Sequence, residues 1–286
     1  ASKGEGLGNQ FLANIRETDA ILHVIRCFDN DNIIHVDESV NPVRDKETID
    51  IELQLKDLET VEKRLERVKR TAKTGNKEAQ TELVVLLKIE ETLLKGISIR
   101  ALDFSEKELE FVQALQFITA KPVLYVCNVD ENSAVSGNDY VDKVREAVKD
   151  ENAEVIVLAV GIEADITELE DYEERQMFLA DIGLKEAGVA RLVRSAYKLL
   201  NLQTYFTAGV KEVRAWTIPI GSSAPQAAGV IHTDFEKGFI RAETIAYNDY
   251  VTFGSEAKVK EAGKMRVEGK EYIVKDGDVM HFRFNV

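Results

Sequence analysis

The tetrapeptide at residues 128–131 carries side chains that could recognise a purine base. It consists of Asn128, Val129, Asp130 and Glu131. A carboxamide can donate and accept hydrogen bonds at a purine edge, and a carboxylate can accept one from an exocyclic amine or a ring N–H. The same residue types also form turns between a strand and a helix. Base recognition and a structural turn are both open interpretations of these four residues.

Two further segments could complete a nucleotide site with backbone groups. Gly4, Gly6 and Gly8 precede a predicted helix, and spaced glycines in that position can hold phosphate with backbone N–H groups. No strand precedes them in this sequence, so a flexible loop is the alternative interpretation. Ala159 and Val160 end a later apolar run and could close over a base with their backbone.

His35 is the candidate catalytic residue, because imidazole is the side chain most often used as a general base or to orient water. It follows a predicted strand at residues 20–28 through the loop at residues 29–34. That loop leaves the carboxyl edge of the predicted sheet, where ligands bind in open α/β folds. A structural or hinge role is the alternative. His23 lies inside the apolar run and is predicted to be a core residue.

The elements that position these residues alternate between strand and helix. Apolar runs at residues 20–28, 122–128 and 155–160 predict strands buried on both faces, as in a parallel sheet. Helices are predicted at residues 9–18, 140–152, 167–182 and 187–201. This alternation predicts an α/β fold with the candidate residues at the carboxyl ends of its strands.

A long insertion at residues 43–118 separates the first two predicted strands. Apolar residues three and four apart, on both sides of a turn at residues 74–77, predict an antiparallel helical hairpin. Ser105 and Glu108 form a capping-box pattern that begins a third helix. A lid or spacer and a partner-binding arm are both open interpretations of the hairpin.

The chain after residue 202 predicts a small α+β domain of half-barrel or β-grasp type. Runs of β-branched and aromatic residues predict strands at residues 213–218, 240–247, 250–253, 272–274 and 279–284. Short helices are predicted near residues 224–229 and 234–239.

Composition excludes several classes of protein. The 286 residues, 44% of them hydrophobic and 31% charged, predict a globular chain of two or three domains. The net charge of −14 lies within residues 1–202 and disfavours a generally basic nucleic-acid binder. No apolar run is long enough for a membrane-spanning helix. Cys27 and Cys127 lie in apolar runs and are predicted to be reduced core thiols, so a cytoplasmic location is expected.

Taken in order, these segments resemble the YchF-type ATPases, a branch of the Obg-related P-loop GTPases, over essentially the whole chain. Residues 2–12 look like the family's glycine-rich second switch, and residues 128–131 stand in the place of the Asn-Lys-x-Asp motif of GTPases. The insertion is similar to the family's helical arm. Residues 201–209, 231–239 and 274–278 resemble its TGS domain, which also occurs in threonyl-tRNA synthetases and stringent-response enzymes.

The resemblance implies a fold with three parts. These are a partial P-loop NTPase (Ras-like) parallel sheet, an inserted antiparallel helical hairpin and a C-terminal α+β TGS (β-grasp) domain. Residues 1–42 and 119–202 would form the nucleotide-binding domain, residues 43–118 the arm, and residues 203–286 the TGS domain.

The resemblance also implies a ribosome-associated switch that binds and hydrolyses ATP with Mg²⁺. Glu131 stands where GTPases have the Asp that pairs with guanine, and Val129 replaces the Lys whose stem stacks on the base. We therefore expect adenine to be preferred, with Asn128 at its edge. YchF-type proteins lack the water-orienting Gln of Ras-like GTPases, which leaves that role to a residue such as His35. The alternatives are a non-catalytic RNA- or ribosome-binding module and an Obg-like GTPase.

One part of the family pattern does not occur in this sequence. It has no G-x-x-x-x-G-K-[ST] motif, no first switch and no Asp-x-x-Gly magnesium motif. The family places these before a stretch like residues 1–8, so we expect a fragment whose Mg²⁺ ligands lie in a missing N-terminal segment. Without the P-loop amides and lysine, little neutralises the triphosphate charge. We expect that the 286-residue chain alone does not hydrolyse ATP.

The implied partners are the ribosome and RNA, contacted through the arm and the TGS domain, with no membrane partner. The sequence does not determine the oligomeric state. Candidate cationic contacts in the C-terminal part are Lys211, Arg214, Lys237, Arg241, Lys258, Lys260, Lys264 and Arg266. Acidic residues are interleaved with them, so a solvated surface is the alternative interpretation.

Overall fold

A computed structural model of the protein describes residues 7–151 and 153–285. The chain divides into two compact units, Ala1–Ser195 and Ala196–Val286, and each is described by itself. Within the described part of the chain, no helix combines the length and the apolar character needed to cross a membrane.

The first unit is the predicted α/β fold. Its elements in chain order are α1 (Leu7–Arg16), β1 (Ile21–Arg26), α2 (Pro42–Ala72), α3 (Lys77–Leu94), α4 (Glu106–Ala114), β2 (Val123–Asn128), α5 (Asp139–Ala147), β3 (Glu154–Leu158), α6 (Val160–Glu168), α7 (Tyr172–Asp181) and α8 (Gly188–Leu199). The strands form a parallel sheet in the order β1-β2-β3. Cys127 lies in β2 and Cys27 directly follows β1, and both are free and fully buried, as predicted.

The prediction of strands buried on both faces holds for β2 but is wrong for β1. All residues of β2 before Asn128 are buried. In β1, Leu22 and Val24 are 44% and 60% exposed. Residues two apart share one face of a strand, and β1 lies at an edge of the sheet. One apolar face of β1 is therefore uncovered by the residues that the structure describes.

The region after β3 also differs from the sequence prediction. The predicted strand at residues 155–160 ends at Leu158, and Val160 already begins α6. The predicted helix at residues 167–182 is two helices, α6 and α7. The break occurs where Asp171 caps α7 by accepting a hydrogen bond from Glu173 N at 2.9 Å, because a capping residue has non-helical backbone angles.

The insertion forms the predicted antiparallel hairpin of α2 and α3, which we call the arm. Asn76 caps α3 by accepting a hydrogen bond from Ala79 N at 3.0 Å. Gly75 adopts a φ of +87°, a conformation that suits glycine at the end of a helix. The capping box of Ser105 and Glu108 is present at the start of α4. The apolar core of the arm includes Val61, Leu65, Val68, Val85, Leu86 and Ile89.

A fully buried carboxylate, that of Asp57 in α2, joins the arm to the segment before β2. It accepts hydrogen bonds from Ile118 N at 3.0 Å, Thr119 N at 2.7 Å and the Thr119 hydroxyl at 2.8 Å. Burial raises the pKa of Asp57, and these hydrogen bonds oppose that rise. Arg16, the last residue of α1, donates to Thr60 Oγ1 at 3.1 Å and lies 3.7 Å from Asp57 Oδ1.

The second unit is a five-stranded sheet with helices. Its elements are β4 (Leu202–Ala208), β5 (Val213–Pro219), α9 (Ala224–Ile231), α10 (Thr233–Lys237), β6 (Phe239–Ile245), α11 (Tyr247–Phe253), α12 (Glu256–Glu261), β7 (Arg266–Glu268) and β8 (Val279–Phe284). The strand order is β5-β4-β8-β6-β7, with β4 and β8 parallel. The buried Tyr205 hydroxyl donates to Ala227 O at 2.8 Å and so fixes α9 to the sheet.

The predictions of two strands in the second unit, at residues 250–253 and 272–274, are wrong. Residues 250–253 belong to α11, where Tyr250 and Phe253 lie one turn apart and pack in one cluster with Val259. Gly254, with a φ of +71°, ends that helix. Residues 272–274 make a single bridge, between Ile273 and Ser223, instead of a strand of the sheet.

Candidate functional site

Asn128 joins the carboxyl ends of β2 and β3. Its Oδ1 atom accepts a hydrogen bond from Val160 N at 3.1 Å, and Val129 N donates to Leu158 O at 2.9 Å. The two segments that the sequence suggested separately, residues 128–131 and 159–160, therefore meet at one edge of the sheet. We call this edge the rim. The Nδ2 group of Asn128 has no hydrogen-bond acceptor among the described residues, so it is a free donor.

Glu131 supplies a free acceptor at the same rim. Its Oε1 atom lies 3.8 Å from the position that a Cβ atom on Gly161 would occupy. The Glu131 side chain is exposed, and the described part of the chain offers its carboxylate no hydrogen bond or ion pair. The rim thus presents a donor on Asn128 and an acceptor on Glu131 close to the backbone at the start of α6.

The other predicted base-site residues serve the local fold. The Val129 side chain is only 3% exposed and packs in the core of the first unit. Asp130 caps the short helical turn Glu131–Ser133 by accepting from Ser133 N and Ser133 Oγ, both at 3.1 Å. Ala159 is buried, whereas the side chain of Val160 is 46% exposed. The backbone N–H of Val160 is engaged by Asn128.

Asn138, which was not among the residues predicted from the sequence, supports the rim. Its Nδ2 donates to Cys27 O at 2.8 Å, and its Oδ1 accepts from Tyr140 N at 3.1 Å at the start of α5. The Tyr140 hydroxyl in turn donates to Asp29 Oδ2 at 2.9 Å. The available signal was an Asn after Gly137 and before an amphipathic helix, which is an N-cap pattern.

Glu163 holds the opposite side of the rim in place. Its carboxylate accepts hydrogen bonds from Gly188 N at 2.6 Å and Val189 N at 3.1 Å, the first amides of α8. A Cβ atom on Gly188 would overlap Leu158 and lie 2.8 Å from Glu163 Oε1. A side chain at this position would therefore require Leu158 and Glu163 to shift.

His35 contacts its own loop and the start of the arm. Asp37 N donates to His35 Nδ1 at 3.1 Å, so Nδ1 is the unprotonated nitrogen. The proton of the neutral ring is then on Nε2, which lies 2.9 Å from Asp45 Oδ2 and donates to it. Both ring nitrogens are thus engaged within the protein in this conformation.

The same loop contains a group of possible metal ligands. Ligand atoms of His35, Asp37 and Asp45 lie within 4.8 Å of one another. Arg44 lies 3.5 Å from Asp37 and 3.0 Å from Asp45, so its charge already offsets part of the negative charge of these two carboxylates. Mg²⁺ prefers oxygen ligands in octahedral geometry, and this group with its nitrogen ligand and resident cation does not fit it.

The predicted glycine-rich loop lies mostly outside the described residues. Gly4 and Gly6 are not among them, and Gly8 belongs to the first turn of α1. The predicted helix at residues 9–18 is thus observed as α1, two residues earlier at each end.

The chain is similar to known proteins in sequence and in structure. The YchF-GTPase_C family model, described as a protein of unknown function (DUF933), matches residues 202–285. The ribosome-binding ATPase YchF of Escherichia coli O157:H7 is 58% identical over 286 residues, and that of Bacillus subtilis (strain 168) is 54% identical over 288 residues. Each match covers 100% of this chain and 78% of the relative.

A solved structure of the Schizosaccharomyces pombe YchF GTPase matches with a TM-score of 0.84 at 37% identity, over 99% of this chain and 77% of that chain. The predicted P-loop NTPase-like fold with a C-terminal TGS domain is confirmed by this match and by the family model. On these identities and this coverage, the chain belongs to the YchF family.

Proposed function

We propose that the chain belongs to a cytoplasmic, ribosome-associated switch that binds and hydrolyses ATP. The main support for this proposal is the rim, where the free Nδ2 donor of Asn128 and the free carboxylate of Glu131 both lie near the start of α6. A purine N7 atom can accept a hydrogen bond from Asn128, and the 6-amino group of adenine can donate one to Glu131. The names of the bacterial relatives, which are ribosome-binding ATPases, support both parts of the proposal.

Adenine is the proposed base, although the Schizosaccharomyces pombe relative is described as a GTPase. In the GTPase motif that residues 128–131 resemble, a Lys stem stacks on the base and an Asp pairs with guanine. Here the side chain of Val129 is buried in the core, so it offers no stem to the base. The carboxylate of Glu131 is one methylene further from the backbone than that of Asp, which alters its approach to guanine.

Phosphate and Mg²⁺ binding need groups that this sequence does not contain, since it has no P-loop motif. The uncovered face of β1, with Leu22 and Val24, offers an apolar surface on which a P-loop-bearing segment could pack. We therefore propose that the 286-residue chain alone binds ATP weakly through its base and does not turn it over.

His35 is proposed to orient the attacking water once the phosphate-binding elements are present. In this structure its Nε2–H donates to Asp45. The proposed role therefore requires that the loop at residues 29–36 release His35 from Asp45. Turnover by the chain extended with a P-loop segment of the kind that the family resemblance implies, compared with its His35→Ala variant, tests this role. Equal turnover at equal ATP affinity would remove His35 from the mechanism.

Base preference is tested by titrating the isotope-labelled chain with ATP and GTP and following its amide NMR signals. We expect ATP at millimolar concentration to shift the signals of Asn128, Glu131 and Gly161 more than GTP does. Equal shifts with GTP would favour the Obg-like GTPase alternative. No shift at these residues with either nucleotide would contradict the proposed site.

Catalysis and ribosome binding are tested separately. Phosphate release by the chain alone is expected to equal the buffer blank, and release above it would contradict the proposed inactivity. Co-sedimentation with ribosomes is expected for the chain in the absence of nucleotide. If the chain bound ribosomes and the P-loop-extended protein did not hydrolyse ATP, the non-catalytic ribosome-binding alternative would be preferred.

A further inference from the structure

A cavity of about 750 Å³ lies at the base of the arm, on the side of the sheet away from the rim. It is lined by the first turns of α2, the segment that follows α3, and residues 150 and 151 before β3. Those last residues precede the amino end of β3, whereas the rim lies at the carboxyl ends of the strands. The volume is in the range of pockets that bind ligands or segments of a partner.

The inner wall of the cavity is electrically balanced. Lys46 Nζ lies 2.7 Å from Asp50 Oδ2 and 2.6 Å from Glu151 Oε1. Arg100 lies 3.7 Å from Glu151 and 4.0 Å from Asp50. Burial opposes the charge on Glu151, but hydrogen bonds from Lys46 and Tyr125 outweigh it and hold its pKa below the ordinary value. Two cations and two carboxylates thus neutralise each other here.

The mouth of the cavity is acidic and apolar. Three exposed acidic residues, Glu47, Asp103 and Asp150, line it. Their carboxylates have no hydrogen bond or ion pair with any residue that the structure describes. Beside them, Ile51 and Ile97 are 54% and 45% exposed and also line the cavity. Lys88 Nζ donates to the backbone oxygen of Asp103 at 2.7 Å, and the carboxylates themselves stay without a direct partner among the described residues. The mouth therefore combines available carboxylates with an apolar surface.

We propose that this cavity binds a basic segment of a partner protein. Its Lys or Arg side chains would pair with the three carboxylates at the mouth, and an aliphatic side chain between them would lie on Ile51 and Ile97. RNA is disfavoured as the occupant, because its phosphates would meet these carboxylates. This inference rests on the proposed ribosome association. It proposes that the basic segment bound in this cavity belongs to a ribosomal protein.

The test measures binding of a short fluorescein-labelled peptide of Lys, Arg and Leu by fluorescence anisotropy. Wild-type chain is compared with a mouth variant that carries Glu47→Gln, Asp103→Asn and Asp150→Asn. A matched control variant changes the same residue types at exposed positions elsewhere in the first unit, namely Glu62→Gln, Asp165→Asn and Asp181→Asn. Both variants change the net charge by the same amount, so they separate local pairing from general attraction.

We expect the mouth variant to bind the peptide about tenfold more weakly and the control variant to bind it within about twofold of wild type. An Ile51→Ser variant is expected to weaken binding as well, and so is acetylation of the lysines of the peptide, because it removes part of the positive charge. Equal weakening in the mouth and control variants would overturn the proposal. So would displacement of the peptide by a short RNA oligonucleotide that binds at the same site.

Ribosome co-sedimentation of the same variants keeps this inference separate from the proposed function. Loss of co-sedimentation in the mouth variant alone would support a ribosomal protein as partner. If wild-type chain fails to co-sediment, the ribosome-associated function fails, and the peptide titration still decides whether the cavity binds a basic segment. If the mouth variant has lost peptide binding but still co-sediments as wild type does, the ribosomal contact at this cavity is overturned.

Discussion

The rim of the sheet and the arm base, where Asp57 of α2 contacts residues 118 and 119, use similar polar side chains in different ways. At the arm base, the carboxylate of Asp57 is fully buried and accepts three hydrogen bonds. At the rim, the carboxylate of Glu131 is exposed and has no partner among the described residues. A satisfied buried carboxylate fixes two elements together, whereas an unpaired exposed one is available to a ligand. We therefore expect Asp57 to contribute to stability and Glu131 to contribute to nucleotide binding.

Asp57→Ala should produce the largest loss of stability. It leaves the buried N–H groups of Ile118 and Thr119 without an acceptor, at a cost of about 3–5 kcal/mol in the free energy of unfolding. Urea denaturation measures this change. Asp165→Ala, at an exposed position of α6, should stay within about 0.5 kcal/mol of wild type. A loss below about 1 kcal/mol for Asp57→Ala would show that the arm is not fixed through this carboxylate.

Gly188→Ala tests the support of the rim. The added methyl group would overlap Leu158 and crowd Glu163, so we expect a loss of about 1–3 kcal/mol. The control is Gly269→Ala, since a Cβ atom there would meet no atom within 4 Å. Thermal unfolding of both variants gives the comparison. Equal midpoints for the two would mean that α6 and α8 can separate at no cost.

Asn128→Ala should have a smaller effect on stability and a clear effect on binding. It removes the acceptor of the hydrogen bond from Val160 N, which contributes about 1 kcal/mol. It also removes the Nδ2 donor proposed to contact the purine. We expect the ATP-induced NMR shifts at Gly161 to disappear while the chain stays folded. Unchanged shifts in this variant would place the base elsewhere.

His23→Phe tests the burial of His23 in β1 through the pH dependence of stability. His23 lies against Tyr125, with ring centroids 5.6 Å apart, and burial lowers its pKa below 6.5. The unfolded chain therefore takes up a proton near pH 6.5 that the folded chain does not, so stability falls as the pH drops below that value. Between pH 7.5 and 5.5, wild type should lose about 1 kcal/mol more than His23→Phe.

The measurement for His23 is the urea midpoint at each of the two pH values. Other groups that titrate in this interval are common to both proteins and do not contribute to the difference. The same pH dependence in wild type and His23→Phe would show that folding does not lower the pKa of His23.

Glu131→Gln should have the smallest effect on stability, within about 0.5 kcal/mol, because the carboxylate is exposed and makes no internal contact that the structure describes. Its effect should instead appear in nucleotide choice, since an amide can donate to guanine O6 or accept from adenine. NMR titration with ATP and GTP measures the ratio. A stability loss above about 1 kcal/mol would make Glu131 a structural residue and weaken the contrast with Asp57.

The sequence predicted the parts of the fold that depend on local periodicity. The parallel strands, the hairpin and the capping box of Ser105 follow from apolar spacing and cap residues, which act within a few positions of the chain. The segment at residues 250–253 has strand-forming residues, but Tyr250 and Phe253 pack on one side of a helix that Gly254 ends. Tertiary packing decided that element, and a single sequence does not display it.

The sequence could predict which residues form the candidate site, but not which groups those residues contact. The sequence indicates Asn128 and Glu131, because polar residues after a buried strand lie where ligands bind. It does not indicate that Asp130 caps a turn or that Val129 is buried, since both depend on how the chain leaves β2. The role of Asp57 was also invisible, because its partners, Ile118 and Thr119, lie 61 and 62 residues away.

The bond between Arg16 and α2 has a mechanical consequence. Arg16 ends the helix that follows the glycine-rich segment, and it holds α2 near Asp57 through Thr60 Oγ1 and Lys56 O. The helix α2 has 31 residues and continues to Ala72, about 22 Å beyond Asp57. A tilt of about 10° imposed at Arg16 would swing the tip of the hairpin by roughly 4 Å. A small rotation of α1 would therefore produce a much larger displacement at the tip of the hairpin, where another molecule could contact it.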